Sequence, residues 1–197
     1  DKYDLFLIED AAEAFGSKYQ GSYCGSFGDV STFSFFGNKT ITTGEGGMVA
    51  SKNEITHERA KMLKNQFVSP LKEYWHEEIG YNYRMTNIQA AIGLAQLECA
   101  QETLDIKLQL AENYFDELQS LPIRFQVLED LGYNSFWMVS ILVENELKRD
   151  KLRKFLSDKG IETRPFFYAV SEMPVFSTSS INATAISLSK NGLSLPS

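Results

Sequence analysis

Leu5-Phe6-Leu7-Ile8 is a short continuous apolar run closed by Glu9-Asp10, which predicts a buried parallel strand ending in acids. Ala11-Ala12-Glu13-Ala14-Phe15 reads as a short helical turn, and Gly16, Gly21, Gly25 and Gly28 punctuate a loop-rich stretch. From Val30 to Phe36 small polar residues alternate with apolar ones, the period of a second strand. A Gly/Thr-rich loop then runs from Gly37 to Gly47, and Gly47-Met48-Val49-Ala50-Ser51 predicts another strand. Asn53 to Phe67 predicts a polar amphipathic helix, capped near Ser51 or Asn53. Ser69 to Tyr83 is aromatic and irregular. Thr86 or Asn87 caps a helical region reaching to about Leu121, where Pro122 ends it. Ile88, Ile92, Ala95, Leu104, Leu108, Ala111 and Phe115 recur there at roughly helical spacing.

The tail changes character. Phe136 to Val143 predicts a strand, Leu147 to Lys159 a helix stopped by Gly160, Ile161 to Phe167 a strand, and Ala183 to Lys190 a short helix. Strand–helix–strand predicts a small α/β lobe beginning near residue 120, so the expected division is 1–120 and 121–197. No internal repeat, low-complexity tract or Pro-rich linker interrupts the chain.

Composition narrows the function classes. The 197 residues fit one domain, or one and a part, at ~150 residues per domain. A net charge of −7 with no basic stripe argues against nucleic acid as a partner. No run approaches the ~20 apolar residues of a membrane span, so no membrane is expected. The opening Asp1-Lys2-Tyr3-Asp4 leads straight into the first strand, and the expectation is a piece of a longer protein. Two cysteines, Cys24 and Cys99, cannot form a disulfide framework and are compatible with a reducing cytosol, so a cytoplasmic setting is expected; both are expected to be buried or half-buried thiols.

Three residues carry candidate chemistry. Lys39 lies inside Gly37-Asn38-Lys39-Thr40-Ile41-Thr42-Thr43-Gly44-Glu45-Gly46-Gly47. A random lysine is a solvated surface charge. Here glycines let the backbone approach a ligand, hydroxyls and amides suit a phosphate, and a desolvated amine suits imine formation. The phosphate-loop pattern Gly-x-x-x-x-Gly-Lys-Ser/Thr is absent. Asp10 stands at the carboxyl end of a predicted strand, where open α/β sheets place ligands. It reads either as a cap for the following turn or as a carboxylate holding a ring nitrogen protonated. Ser34, five residues before Lys39, is a half-buried strand hydroxyl or a phosphate ligand. Of the two histidines, His57 falls on a polar, exposed helix, and His76 is a weaker candidate for the substrate path.

Three ordered blocks resemble one known family. Ile8-Glu-Asp-Ala-Ala-Glu-Ala14, then Phe33-Ser-Phe-Phe-Gly-Asn-Lys-Thr-Ile-Thr-Thr-Gly-Glu-Gly-Gly-Met48, then Gly80-Tyr-Asn-Tyr-Arg-Met-Thr-Asn-Ile-Gln-Ala-Ala-Ile-Gly93 are similar to the DegT/DnrJ/EryC1/StrS aminotransferases. The likeness extends to Ile161-Glu-Thr-Arg-Pro-Phe-Phe-Tyr168 and Gly192-Leu-Ser-Leu-Pro-Ser197. It implies an α/β, aspartate-aminotransferase-like (fold type I) transferase, here the later part of the large domain plus a small C-terminal α/β domain. It implies pyridoxal 5′-phosphate as cofactor and no metal. Lys39 matches the lysine that bonds the cofactor, and Asp10 the acid paired with the pyridine nitrogen. Ser34 matches a phosphate-binding serine, and Glu13 a position beside the cofactor ring. Asn82 matches an asparagine reaching across a homodimer to the second copy's cofactor phosphate. Tyr83, Arg84, His76 and Phe167 are weaker substrate candidates, with Arg84 equally readable as a structural ion-pair partner.

Family members that remove a hydroxyl carry His at the lysine position, so Lys39 implies transamination. The implied donor is glutamate, converted to 2-oxoglutarate, and the implied acceptor is a nucleotide-linked 4-keto-6-deoxy sugar for O-antigen or surface-polysaccharide synthesis. GDP-4-keto-6-deoxymannose is favoured over a UDP- or dTDP-linked sugar. The family often has Pro and His after the Phe-Phe-Tyr block, where this chain has Ala169 and Ser171. The rival expectation is a non-catalytic fragment, because half a large domain exposes sheet edges.

Overall fold

The computed structural model describes residues 2–126, 132–176 and 182–197. The chain divides into two compact units, Asp1–Asp105 with Asp130–Trp137, and Ile106–Glu129 with Met138–Ser197.

The first unit is built on a three-stranded sheet of β1 (Ile8–Asp10), β4 (Val30–Ser34) and β5 (Gly47–Ser51), in the order β1-β4-β5. β1 runs parallel to β4, with Asp10 opposite Thr32, and β4 runs antiparallel to β5, with Ser34 opposite Gly47. Between β1 and β4 come a turn and the small strands β2 (Lys18–Tyr19) and β3 (Ser22–Tyr23). A stretch from much later in the chain, β7 (Gly132–Tyr133), pairs with β2 as the third member of that sheet.

Helix α1 (Glu54–Lys64) starts at Asn53, whose side chain accepts from Thr56 N–H. Helix α2 (Asn87–Glu98) starts at Thr86 in a full capping box with Gln89.

The second unit is a four-stranded antiparallel sheet of β6 (Arg124–Phe125), β8 (Val139–Leu142), β10 (Gly192–Leu195) and β9 (Arg164–Pro165), in the order β6-β8-β10-β9. Register aligns Phe125, Ile141, Leu193 and Pro165 in one row across all four strands. Tyr114, Leu118, Leu152 and Leu156 pack against that side, the first pair from α3 (Ala100–Leu118) and the second from α4 (Glu146–Asp158). Leu193 is wholly buried, and removing a leucine side chain from water contributes about 1.5–3 kcal/mol. On the opposite side of the sheet the Ser140 and Ser194 hydroxyls share a hydrogen bond at 3.2 Å.

Several expectations need correction. The apolar run Leu5–Ile8 is not a buried strand. The strand is Ile8–Asp10, β4 is its neighbour in the sheet, and Leu5 is 77% exposed. Ala11–Phe15 forms turns, with Ala14 N–H donating to the Ala11 carbonyl, rather than a helix. The single helix expected to Leu121 is two, broken at Cys99, and Ile88 and Ile92 are exposed; Leu104 and Ala111 of α3 are buried. Cys99, at that break, is exposed, not buried. The strand expected over Ile161–Phe167 is only Arg164–Pro165, and the one over Phe136–Val143 is Val139–Leu142. β10, buried along its whole length, was not expected as a strand at all.

Candidate active site

The site begins at the carboxyl end of β1. Because side chains alternate along a strand, Asp10 shares one face of the sheet with its partner Thr32 and with Ser34, two residues on. The Thr32 hydroxyl donates to Asp10 Oδ1 at 3.4 Å, and the same oxygen accepts from Ala12 N–H at 3.1 Å. Asp10 therefore does cap the turn that follows it, and still presents an exposed carboxylate at the strand end.

Glu9 points the other way and holds the opposite face. Its carboxylate accepts from the backbone N–H groups of Gly25, Phe27 and Gly28 at 2.7, 2.7 and 2.6 Å. The slight desolvation of Glu9 works upward on its pKa. The N–H donors of Gly28, Gly25 and Phe27, with the Lys52 charge, outweigh it and hold the carboxyl below its usual range. Nearby, burial first and then the Glu9 charge push the Cys24 thiol up.

The loop after β4 carries Lys39, and β-sheet and helix contacts fix its course. Phe35 N–H donates to the Gly46 carbonyl and Thr43 N–H to the Phe35 carbonyl, each at 2.9 Å. Ile41 and Thr43 are buried anchors. Helix α2 holds the loop from outside: Gln96 Oε1 accepts from Thr42 N–H at 2.8 Å, and Gln89 Nε2–H donates to the Glu45 carbonyl at 3.1 Å. Gly93, on the same face of that helix, lies so close that a Cβ there would meet Thr43 Cγ2 at 2.7 Å. The loop thus has a fixed shape despite its glycines.

Within it, the Lys39 side chain is only 12% exposed, and Nζ donates to Glu13 Oε1 at 3.2 Å. Glu13 arrives through the turn that Asp10 caps. The Asp10–Ala12 hydrogen bond and the Glu13–Lys39 ion pair thus connect the strand-end carboxylate to the lysine. The Trp137 ring lies 3.8 Å from Lys39 Nζ, and its indole N–H donates to the Asn38 carbonyl at 2.7 Å. Nothing in the sequence signalled Trp137, since 99 positions separate it from its Asn38 partner. Ser34 Oγ, at the exit of β4, accepts from Phe36 N–H at 3.3 Å.

The other candidates lie elsewhere. Asn82 and Tyr83 run beside the end of α1, with Asn82 bridged to Asn65 and Tyr83 N–H on the Lys64 carbonyl. Tyr83 is exposed and stacked on Tyr81 at 5.1 Å, and Arg84 is exposed. His76 Nδ1 shares a 2.8 Å hydrogen bond with the Gln66 carbonyl, a backbone partner that fixes its ring. His57 is exposed, as its polar helix predicts. Phe167 belongs to the second unit and is largely exposed.

A half-buried lysine in a pinned glycine-rich loop, with a carboxylate at a neighbouring strand end, is found here on a mixed α/β frame. The chain belongs to the DegT/DnrJ/EryC1/StrS aminotransferase family, whose sequence model matches residues 1–197. It is 51% identical over 195 residues to the GDP-perosamine synthase of Escherichia coli O157:H7, covering 98% of this chain and 53% of that protein. It is 46% identical over 203 residues to the GDP-perosamine synthase of Vibrio cholerae, covering 100% of this chain and 55% of that one. Among solved structures, the aminotransferase TlmJ from Streptoalloteichus hindustanus superposes with a TM-score of 0.90 at 26% identity, over 99% of this chain and 54% of that one. The chain spans about half the length of the curated relatives it matches.

Proposed function

We propose that this chain carries the reactive lysine of a pyridoxal phosphate-dependent aminotransferase acting on a nucleotide-linked 4-keto-6-deoxy sugar. In this reading residues 1–120 are the later part of the large cofactor-binding domain and 121–197 the small domain. The observation that carries it is Lys39: a primary amine, mostly withdrawn from water, on a loop held by β4, β5 and α2. The donor set fits the cofactor. Lys39 offers the amine, Asp10 a carboxylate for the ring nitrogen, and Ser34 a hydroxyl for the phosphate. When bound, pyridoxal phosphate supplies an electron sink for the bond broken at the amino donor's α-carbon.

This chain's residues then do the rest. Asp10, steadied by the Thr32 hydroxyl and Ala12 N–H, holds a proton at the pyridine nitrogen. Lys39 Nζ, guided by Glu13, takes a proton from the donor α-carbon and later delivers one to the sugar C4. Two half-reactions would follow in turn: the amino group would stay on the bound cofactor as glutamate leaves as 2-oxoglutarate, and would then pass to C4 of the keto-sugar, whose carbonyl oxygen would leave as water. GDP-4-keto-6-deoxymannose is the proposed acceptor, supported by the relatives at 51% and 46% identity that bear the name GDP-perosamine synthase. The product would serve O-antigen or surface-polysaccharide synthesis in the cytoplasm. In a homodimer with shared sites, Asn82 is assigned to the second copy's cofactor phosphate, and Tyr83, Arg84, His76 and Phe167 to the substrate side. Among the described residues no helix is long and apolar enough to cross a membrane.

The test is an absorption spectrum of the purified protein with pyridoxal phosphate, then borohydride trapping and peptide mass mapping. A visible band with the label on the Lys39 peptide supports the reading. A label on any other lysine overturns it. Release of 2-oxoglutarate from glutamate with GDP-, UDP- and dTDP-linked keto-sugars in parallel then tests the acceptor.

A further inference from the structure

Trp137 closes the stretch Asp130–Trp137, which belongs to the first unit although the sequence on either side belongs to the second. Two contacts tie its ring to the lysine loop. The indole N–H holds the Asn38 carbonyl at 2.7 Å, and the ring centroid stands 3.8 Å from Lys39 Nζ. One rigid side chain thus grips both the backbone before Lys39 and the amine at the end of its stem. An aromatic face at this distance attracts an ammonium through its quadrupole.

The ring is itself anchored. Ser135, 1% exposed, donates its N–H to Ser17 Oγ at 3.1 Å, and the two hydroxyls share a bond at 2.9 Å. Phe136 is buried, and its N–H donates to Asn134 Oδ1 at 2.8 Å. Upstream, β7 is paired into the sheet with β2. The residues before Trp137 are therefore pinned to the same unit as Lys39, so the indole meets the loop from a fixed base.

We propose that Trp137 is a positioning residue for Lys39. Its N–H edge fixes the loop at Asn38, and its face keeps Nζ turned toward Glu13 and shielded from water. The consequence for turnover rests on the aminotransferase reading; the grip on the amine does not.

The test first uses the protein freed of cofactor. A short pulse of acetic anhydride at fixed pH, followed by peptide mass mapping, gives the acetylation rate of Lys39 relative to Lys154, whose side chain is 77% exposed. In the wild type Lys39 reacts more slowly than Lys154. Trp137→Leu raises the Lys39 ratio on the order of tenfold, and Trp137→Phe, which keeps a face but loses the N–H, about threefold. Circular dichroism and melting curves check that the variants fold. In the loaded enzyme the same variants lower kcat with the KM for the amino donor within about twofold, the signature of lost positioning. A folded Trp137→Leu whose Lys39 ratio stays within twofold of wild type overturns the proposal. If that variant does not fold, Trp137→Phe decides, an unchanged ratio overturning it. If the ratios rise but the wild type traps cofactor on another lysine, the positioning role stands and the assignment of Lys39 as the cofactor lysine falls.

Discussion

Asp10 and Thr32 stand opposite each other in the parallel pair of β1 and β4, and the Thr32 hydroxyl donates to the Asp10 carboxylate at 3.4 Å. The hydroxyl steadies a charged oxygen that already caps a turn. Asp10→Asn is expected to leave pyridoxal phosphate bound but to lower kcat by about 10²–10⁴, since an amide cannot hold the ring proton. Thr32→Val, which removes one long hydrogen bond, is expected to lower kcat only a few-fold. Steady-state kinetics beside a cofactor-binding titration separates the two effects.

Lys39→Arg keeps a charge for Glu13 but removes a usable nucleophile, because a guanidinium stays protonated. The expected result is no borohydride label on that peptide and at least ~10³-fold lower turnover. A variant retaining a tenth of wild-type turnover contradicts the role given to Lys39.

Glu9 gives a pH dependence with a definite sign. Its carboxyl is held below the usual range, so its stabilisation is present above the unfolded value, near 4.5, and is lost as pH falls through the lower folded value. Glu9→Gln removes that effect and sets an amide N–H against backbone donors. The variant is expected to be about 1–2 kcal/mol less stable at pH 7, with a flatter decline below pH 4.5. Urea midpoints from pH 3 to 7 measure both.

Gly93→Ala improves helix propensity by about 1 kcal/mol in an exposed helix. Here the new Cβ falls 2.7 Å from Thr43 Cγ2, on a side chain that is buried and bonded to the Glu45 carbonyl at 2.7 Å. Overpacking outweighs propensity, and a net loss of about 1–2 kcal/mol is expected, with weaker labelling of Lys39 because the loop must shift. Thermal melts and the borohydride label test it together.

Much of this was legible from local pattern. The alternation from Val30, the cap at Thr86 or Asn87 and the stop at Gly160, whose φ is +77°, each placed an element's start or end within a residue or two. The family blocks pointed to Lys39, Asp10, Glu13 and Ser34, and the structure puts Lys39 against Glu13 and Asp10 on one face with Ser34. What was not legible depends on distant partners. Glu9 reads as one more acid at a strand end, because its three donors lie 16 to 19 positions on. Trp137 reads as a strand aromatic because its contacts lie near Lys39. Gly-Leu-Ser-Leu is too short and too poor in β-branched residues to signal the buried strand it forms.

That strand also bears on how the protein is made. β10 follows β6, β8 and β9 in sequence but lies between β8 and β9 in its sheet. A ribosome releases β8 and β9 before the strand that joins them, and β8 then waits with one edge unpaired across the 49 residues between Leu142 and Gly192. The second unit consequently completes its sheet through long-range closure rather than growing strand by strand. Its nascent state is the period when an exposed edge is most open to pairing with a neighbouring chain.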